Sequence, residues 1–503
     1  MKLSMNLSCF LRRLAIPLLL TAPIAFAQPR WPQFRGPNSQ GISHDAHPPV
    51  TFGPRTNLTW KTPVAPGLSS PVIWAERIFL TTFQTGQLSV VSFDRQDGRE
   101  QWRWSVEAGP IKDVHASSSP AASSVAADEV HVYAYFGSWG IAALRHDGTE
   151  VWRHPLTPPK NRYGMATSPV LHGPNVLLVL DADDGNSRVA AFSRADGHEV
   201  WHADRQGQRA TWSTPALWTS PSGDREELIV LSAMRLAAYD PRDGHELWTL
   251  DGFPQETVSV PAVGRDLVFA AAAALGGRSS ERYDAMNWKE LLNFDHDKDG
   301  RVQASEVPDE YHMVLRPDLP RDHPGYAAPS TFKRTFNSID TDKDGAITEA
   351  EWDKFVASWE ASSKPILTAI RPGATGNARD HVAWSSARGL PEMPSILLYR
   401  DRVFMVRDGG LLTSIKPTDG TMIFQERLGP GGQYCASPVA ADGHVYFASV
   451  PGVIAVIDAA SDTLRVLAQN DLGEPIQSTP AIAGNSIYVR TAHQLMAFSA
   501  NRP

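Results

Sequence analysis

The chain has 503 residues, a formal net charge of −8 and two cysteines, Cys9 and Cys435. That negative balance gives no footing for binding a phosphate backbone, so no nucleic-acid partner is expected. Two cysteines cannot staple a chain of this length, and its stability must come from a buried core.

At the N-terminus, Lys2, Arg12 and Arg13 stand ahead of the apolar run LAIPLLLTAPIAFA. The run ends in the small-x-small pattern Ala25-Phe26-Ala27 before Gln28. This is the pattern of a cleaved signal peptide, residues 1–27, and predicts a periplasmic or secreted protein. Cys9 precedes the apolar run, so it is not a lipid-anchoring cysteine, and Cys435 is the single thiol of the processed chain. The longest later apolar run, LVFAAAAAL at 267–275, is too short to span a bilayer.

From residue 57 onward the chain repeats. Ser70-Pro71, Ser119-Pro120, Ser168-Pro169, Thr214-Pro215, Ser437-Pro438 and Thr479-Pro480 each precede a short apolar run, with Val260-Pro261 and Ser395-Ile396 as weaker copies. In phase with them, an Asp-Gly turn is followed by an aromatic residue in DRQDGREQW, HDGTEVW, RADGHEVW, PRDGHELW and PTDGTMIF. A period near 47 residues with tight turns suits a four-stranded antiparallel blade. One blade cannot bury its faces alone, and Trp102, Trp152, Trp201 and Trp248 are the expected pegs between neighbours.

The spacing Ala238, Asp240, Gly244, Trp248 resembles the tryptophan-docking motif of the pyrroloquinoline-quinone-type β-propeller repeat. The resemblance covers most of the chain after residue 27. Phe424 stands for the tryptophan in one unit and Asp462 for the glycine in another. The eighth unit, STPAIAGNSIYVRTAHQLMAFSA, holds three strand-like runs, whereas NLTWKTPV near the N-terminus has no unit before it. Trp60 and its neighbours are therefore expected to supply the missing strand. The predicted fold is all-β, an eight-bladed propeller closed by an N-terminal strand.

Pro261 and Ile396 are separated by far more than one repeat, and the excess places an insert at 278–364 between two strands of the fifth blade. The resulting domain map is signal peptide 1–27, propeller 28–277, insert 278–364 and propeller 365–503. The insert contains two calcium-type loops. The first offers Asp295, Asp297 and Asp299 at positions 1, 3 and 5, Arg301 at 7 through its carbonyl, Gln303 at 9 and Glu306 at 12. The second offers Asp340, Asp342, Asp344, Ala346, Thr348 and Glu351 in the same order. Hard oxygen donors at alternating positions converge on one ion only if the chain wraps it, and Gly300 and Gly345 at position 6 permit the turn. Val302 and Ile347 at position 8 are expected to pair across the loops, and amphipathic helices to flank them. The insert carries 18 acidic and 12 basic side chains, a surplus that two Ca2+ ions offset in large part. Outside the cytoplasm calcium is not pulsed, and a weak pair of sites, on the order of 0.1–1 mM, is expected to hold structure, with a sensor role as the alternative.

Function is less legible. Quinoprotein dehydrogenases, which share the repeat, use a disulfide between adjacent cysteines over their cofactor; this chain has no adjacent cysteine pair, which weighs against pyrroloquinoline quinone and against an enzyme. Resemblance to the propeller component of the outer-membrane assembly machinery instead implies a protein-binding scaffold, with a partner in the envelope or among secreted proteins. A quinone-dependent oxidoreductase is the alternative. Segments before the repeat starts converge on the channel mouth, and there His115, Tyr163, Trp212 and Tyr434 are the candidate ligand contacts, with Arg162, Glu256, Cys435 and Gln477 beside them.

Overall fold

The computed structural model describes residues 28–500 apart from 110, 112–117, 162, 255, 274–287, 315–320, 322–330, 362–364 and 430. Eight four-stranded antiparallel units form a ring: blades 1 (72–107), 2 (126–155), 3 (170–204), 4 (216–251), 5 (262–386), 6 (397–427), 7 (439–471) and 8 (481–499). First strands touch around the axis between blades 1 and 2, 4 and 5, 5 and 6, 7 and 8, and 8 and 1. The two middle strands of each blade are buried almost throughout, as in Arg77–Gln84 and Gln87–Asp94, while the outer strand Glu100–Glu107 leaves most of its residues part-exposed or exposed. A sheet covered on both faces needs continuous apolar runs, and its solvent-facing edge does not.

Blade 8 has three strands of its own, and its fourth is Leu58–Pro63, antiparallel to Gln494–Ser499 with Trp60 opposite Ala497. The N-terminal strand thus closes the ring, as expected. Arg490, 1% exposed, reinforces this seam by donating to Ser69 Oγ (2.8 Å), Thr81 O (2.9 Å) and Ala65 O (2.9 Å) of the N-terminal side. Burial pushes its guanidinium down to about 9.

The tryptophan pegs dock on the next blade's Asp-Gly turn. A Cβ added to Gly98 would lie 2.3 Å from the Trp60 ring; at Gly148, Gly197, Gly244 and Gly420 it would meet Trp102, Trp152, Trp201 and Trp384 at 2.4–2.8 Å. These glycines also hold φ between 72° and 90°, so both the backbone and the close approach demand them. The indole N–H groups of Trp60, Trp102, Trp152 and Trp384 donate to carbonyls of the same turns at 2.8–3.0 Å. Trp248 differs from the expected pattern. The loop between the last two strands of blade 5, residues 371–381, has no Asp-Gly turn, and Trp248 instead donates to the buried Glu227 of its own blade (2.8 Å) beneath Gly376, which pairs with it.

A belt of hydroxyls encircles the axis. The N–H groups of Ser70, Ser124 and Ser168 donate to the side chains of Ser124, Ser168 and Thr214, and those of Val260, Ser395, Ser437 and Thr479 to Ser395, Ser437, Thr479 and Ser70, all at 2.9–3.0 Å. The belt corrects one repeat start: in blade 2 the equivalent residue is Ser124, not Ser119. The Ser119 hydroxyl caps the Ala121 N–H (3.1 Å), so the Ser-Pro pair there marks a loop turn ahead of the strand. Between blades 4 and 5 the belt is interrupted, because Val260 has no hydroxyl.

Sequence reading also missed a strap. Residues 29–47 cross the inner strands at one end of the ring, bonding Ala75 of blade 1, Ala127 of blade 2, Leu217 of blade 4, Val263 of blade 5, Ile396 of blade 6, Ala440 of blade 7 and Gly484 of blade 8. Its side chains Arg35, Asn38 and Gln40 supply backbone partners that a β-strand would have supplied itself.

The insert leaves blade 5 after Val268–Ala272 and returns at Ile366–Ile370, with Ala272 opposite Ile366 in the ladder. Its ends are therefore neighbours, which is why a domain-sized excursion leaves the blade intact.

Candidate metal centre

The helix Phe332–Ile339 enters the second loop and Glu349–Ala361 leaves it. The exit helix begins with a capping box: the Thr348 hydroxyl accepts the Glu351 N–H (3.3 Å) and Glu351 Oε2 accepts the Thr348 N–H (3.0 Å). Burial raises the Glu351 carboxyl, but the N–H groups of Thr348, Thr341 and Asp342 and the Thr348 hydroxyl outweigh it and hold the group at about 2. Carboxylate oxygens of Asp340, Asp342 and Glu351 lie within 4.8 Å of one another. Asp340 is 5% exposed, and its Oδ1 is buried without a hydrogen-bond partner, while Oδ2 accepts the Gly345 N–H (3.0 Å). A desolvated anionic oxygen with no donor is costly unless a cation faces it. An all-oxygen set around it is the chemistry Ca2+ takes, so the residues present fit that ion.

The first loop is built less completely. Trp288–Leu291 and the 3-10 turn Leu292–Phe294 precede it, but no helix follows Glu306 among the described residues. Pro308 lies two residues beyond, and the chain turns there, with the Tyr311 N–H on the Pro308 carbonyl (3.1 Å). Asp295, Asp297 and Asp299 converge within 4.8 Å. Glu306 accepts the His296 and Gln303 N–H groups, each at 2.8 Å. Arg301 and Ala346 stand at the seventh positions. The loops lie back to back through Val302 opposite Ile347 and Gln303 opposite Ala346. Beneath them Trp288, Val302, Phe332, Phe336, Ile347 and Trp352 form a core separate from those of the blades.

At the expected channel mouth the structure brings two candidates together. The Tyr163 and Trp212 rings meet edge-on at 5.1 Å, and the Trp212 indole donates to Gly164 O (2.7 Å). Tyr434 is placed otherwise: it is 1% exposed and packs in the core between blades 6 and 7. Burial pushes the neighbouring Cys435 thiol up to about 12, with Met393 Sδ 3.8 Å away, which suits an apolar residue and not a nucleophile. Gln477 is exposed and Glu256 half-buried. His115 and Arg162 lie outside the described residues, as does the segment 1–27.

Ring, docking tryptophans and helical insert define a repeat propeller carrying a calcium-type hand. The model for the family described as outer membrane protein assembly factor BamB matches residues 56–181, 185–303 and 359–501, and the chain belongs to that family. The break between 303 and 359 falls on the insert, and an EF hand model matches residues 332–356 there. Among solved structures, BamB from Moraxella catarrhalis is 11% identical, with 88% of this chain and 100% of that one covered at a TM-score of 0.50. The computationally designed Ika8 protein is 9% identical over 88% and 100% at 0.52. A europium-containing methanol dehydrogenase is 9% identical over 94% and 98% at 0.56. Likeness at such identities is likeness of fold. No curated protein matches the chain. No described helix is long and apolar enough to cross a membrane.

Proposed function

We propose that this chain is an extracytoplasmic calcium-binding propeller that acts as a scaffold for an envelope or secreted protein, with calcium ordering the insert. The observation that carries the calcium reading is the buried, unpartnered Asp340 Oδ1 beside Asp342 and Glu351. When bound, the ion supplies charge neutralisation. The chain's own residues wrap it, with Asp340, Asp342, Asp344, the Ala346 carbonyl, Thr348 and Glu351 as the second-loop set and Asp295, Asp297, Asp299, the Arg301 carbonyl, Gln303 and Glu306 as the first. The signal-peptide pattern of residues 1–27 supports export, and membership of the assembly-factor family supports a protein partner.

Calorimetric titration of the chain from residue 28 with calcium chloride is expected to show two sites. Glu306→Gln and Glu351→Gln each remove one bidentate carboxylate and one site; two undiminished sites in the double variant would refute the assignment. Affinity capture from envelope extracts, with and without calcium, tests the scaffold. Quinone-dependent dye reduction by the reconstituted chain is the outcome that would replace it with an oxidoreductase.

A further inference from the structure

The two loops differ at their fifth position. In the first, Asp299 belongs to the converged carboxylates with Asp295 and Asp297, and the twelfth residue, Glu306, stands outside them; in the second, Glu351 belongs to the trio with Asp340 and Asp342, and Asp344 stands outside it. A partner for Asp344 lies across the loop pair. The guanidinium of Arg301, the seventh residue of the first loop, is ion-paired to Asp344 Oδ2, while Asp344 Oδ1 accepts the Ala346 N–H (3.0 Å). The bridge of Val302 to Ile347 sets this reach, since it fixes the residues on either side of the seam in register. There is no reciprocal pair. Ala346 holds the seventh position of the second loop and has no cation to offer, and the described donors to Asp299 are the Arg301 N–H (2.8 Å) and the Gln303 side-chain amide (2.9 Å) of its own loop.

We infer that Arg301 is an internal competitor for calcium at the second loop, a latch that withholds Asp344 until the ion displaces the guanidinium. The inference rests on the calcium reading and adds a regulation to it. A cation tethered 43 residues away in sequence occupies the carboxylate that the ion needs. Filling the second loop then releases a side chain whose own carbonyl belongs to the first, so one residue connects both sites. Both partners are more than one-third exposed, so the competition is modest and sensitive to salt.

The test uses the chain from residue 28 with Glu306→Gln, which leaves the second loop as the site titrated with calcium chloride. Adding Arg301→Gln should tighten that site by about three-fold at low ionic strength, a gain that fades as salt approaches about 0.5 M. In an Asp344→Asn background the same substitution should change nothing. Lys343→Gln removes an equal charge from the same loop without touching the pair. A gain from it as large as that from Arg301→Gln, or a gain that survives Asp344→Asn, would show diffuse charge at work and overturn the latch. An unchanged or weakened site in the Arg301 variant overturns it too. Absence of any calcium heat in the parent chain would instead remove the calcium reading itself, and the latch with it.

Discussion

The seam between blades 8 and 1 and the seam between blades 4 and 5 meet the same packing demand with different chemistry. At the first, Trp60 seats on Gly98, its indole bonds Arg95 O, Thr479 bonds Ser70, and Arg490 reaches three residues of the opposite side. At the second there is no Asp-Gly turn and the hydroxyl belt is interrupted at Val260. A buried carboxylate takes the place of the turn: Glu227 receives the Trp248 indole (2.8 Å) and the Gly373 N–H (2.9 Å) and lies 2.7 Å from Arg225. Where the chain ends meet, the buried Arg490 bonds across a break that no covalent link holds. The seam beside the insert has other ties too: the Trp218 indole donates to Arg265 O (3.1 Å), Arg225 to Ala374 O (2.9 Å) and the Ser213 hydroxyl to Ser259 O (2.8 Å), and Trp248–Thr249 pair in parallel with Gly376–Asn377.

That contrast can be broken or sharpened. The largest effect is expected from Trp60→Ala, which empties the docking site and loosens the closing strand: about 3–5 kcal/mol lost in urea unfolding, with earlier proteolysis near residue 63. Unchanged stability would mean that the terminal strand does not hold the ring. Glu227→Gln keeps the shape but removes the charge facing Arg225, and is expected to cost about 1–2 kcal/mol, measured the same way. A smaller gain, about 0.5–1 kcal/mol, is expected from Val260→Thr, whose hydroxyl offers Thr214 the missing acceptor of the belt; a loss would show that the gap is filled by apolar packing alone.

Acid acts on the insert. The Glu351 carboxyl titrates near 2 in the folded chain and near 4.5 when unfolded. Its cap therefore contributes in full above about pH 4.5 and is lost as the pH falls towards about 2. Circular dichroism of calcium-free protein should show helix melting in that window; helix loss well above pH 5 would assign it to other groups.

Much of the architecture was legible because repetition multiplies weak signals. One Asp-Gly-x-x-x-Trp is a turn, but several in phase are a propeller, and a three-stranded final unit asks for the strand around Trp60. The two calcium-type loops were legible because each candidate ligand is fixed by spacing within twelve residues. What escaped depends on three-dimensional register. Residues 29–47 have no period, since they bond through Asn38, Gln40 and Arg35 to strands far away in sequence. Ser119-Pro120 copies the repeat start five residues early, and only the belt shows that Ser124 is the equivalent. Tyr434 stood where the mouth was expected, but its backbone N–H is tied to Asp408 (2.8 Å) and its ring is turned into the blade core. The Arg301–Asp344 pair follows from a bridge between loops, which no spacing within either loop encodes.

The central claim is that calcium orders the insert while the ring stands without it. Amide hydrogen exchange with and without a chelator tests it directly. Faster exchange is expected to be confined to residues of the insert, with the ladder from Val268 to Ile370 and the amides around Trp248 and Phe424 unchanged. Acceleration spreading into blades 4 and 6 would contradict it, and would make calcium a tie of the seams beside the insert.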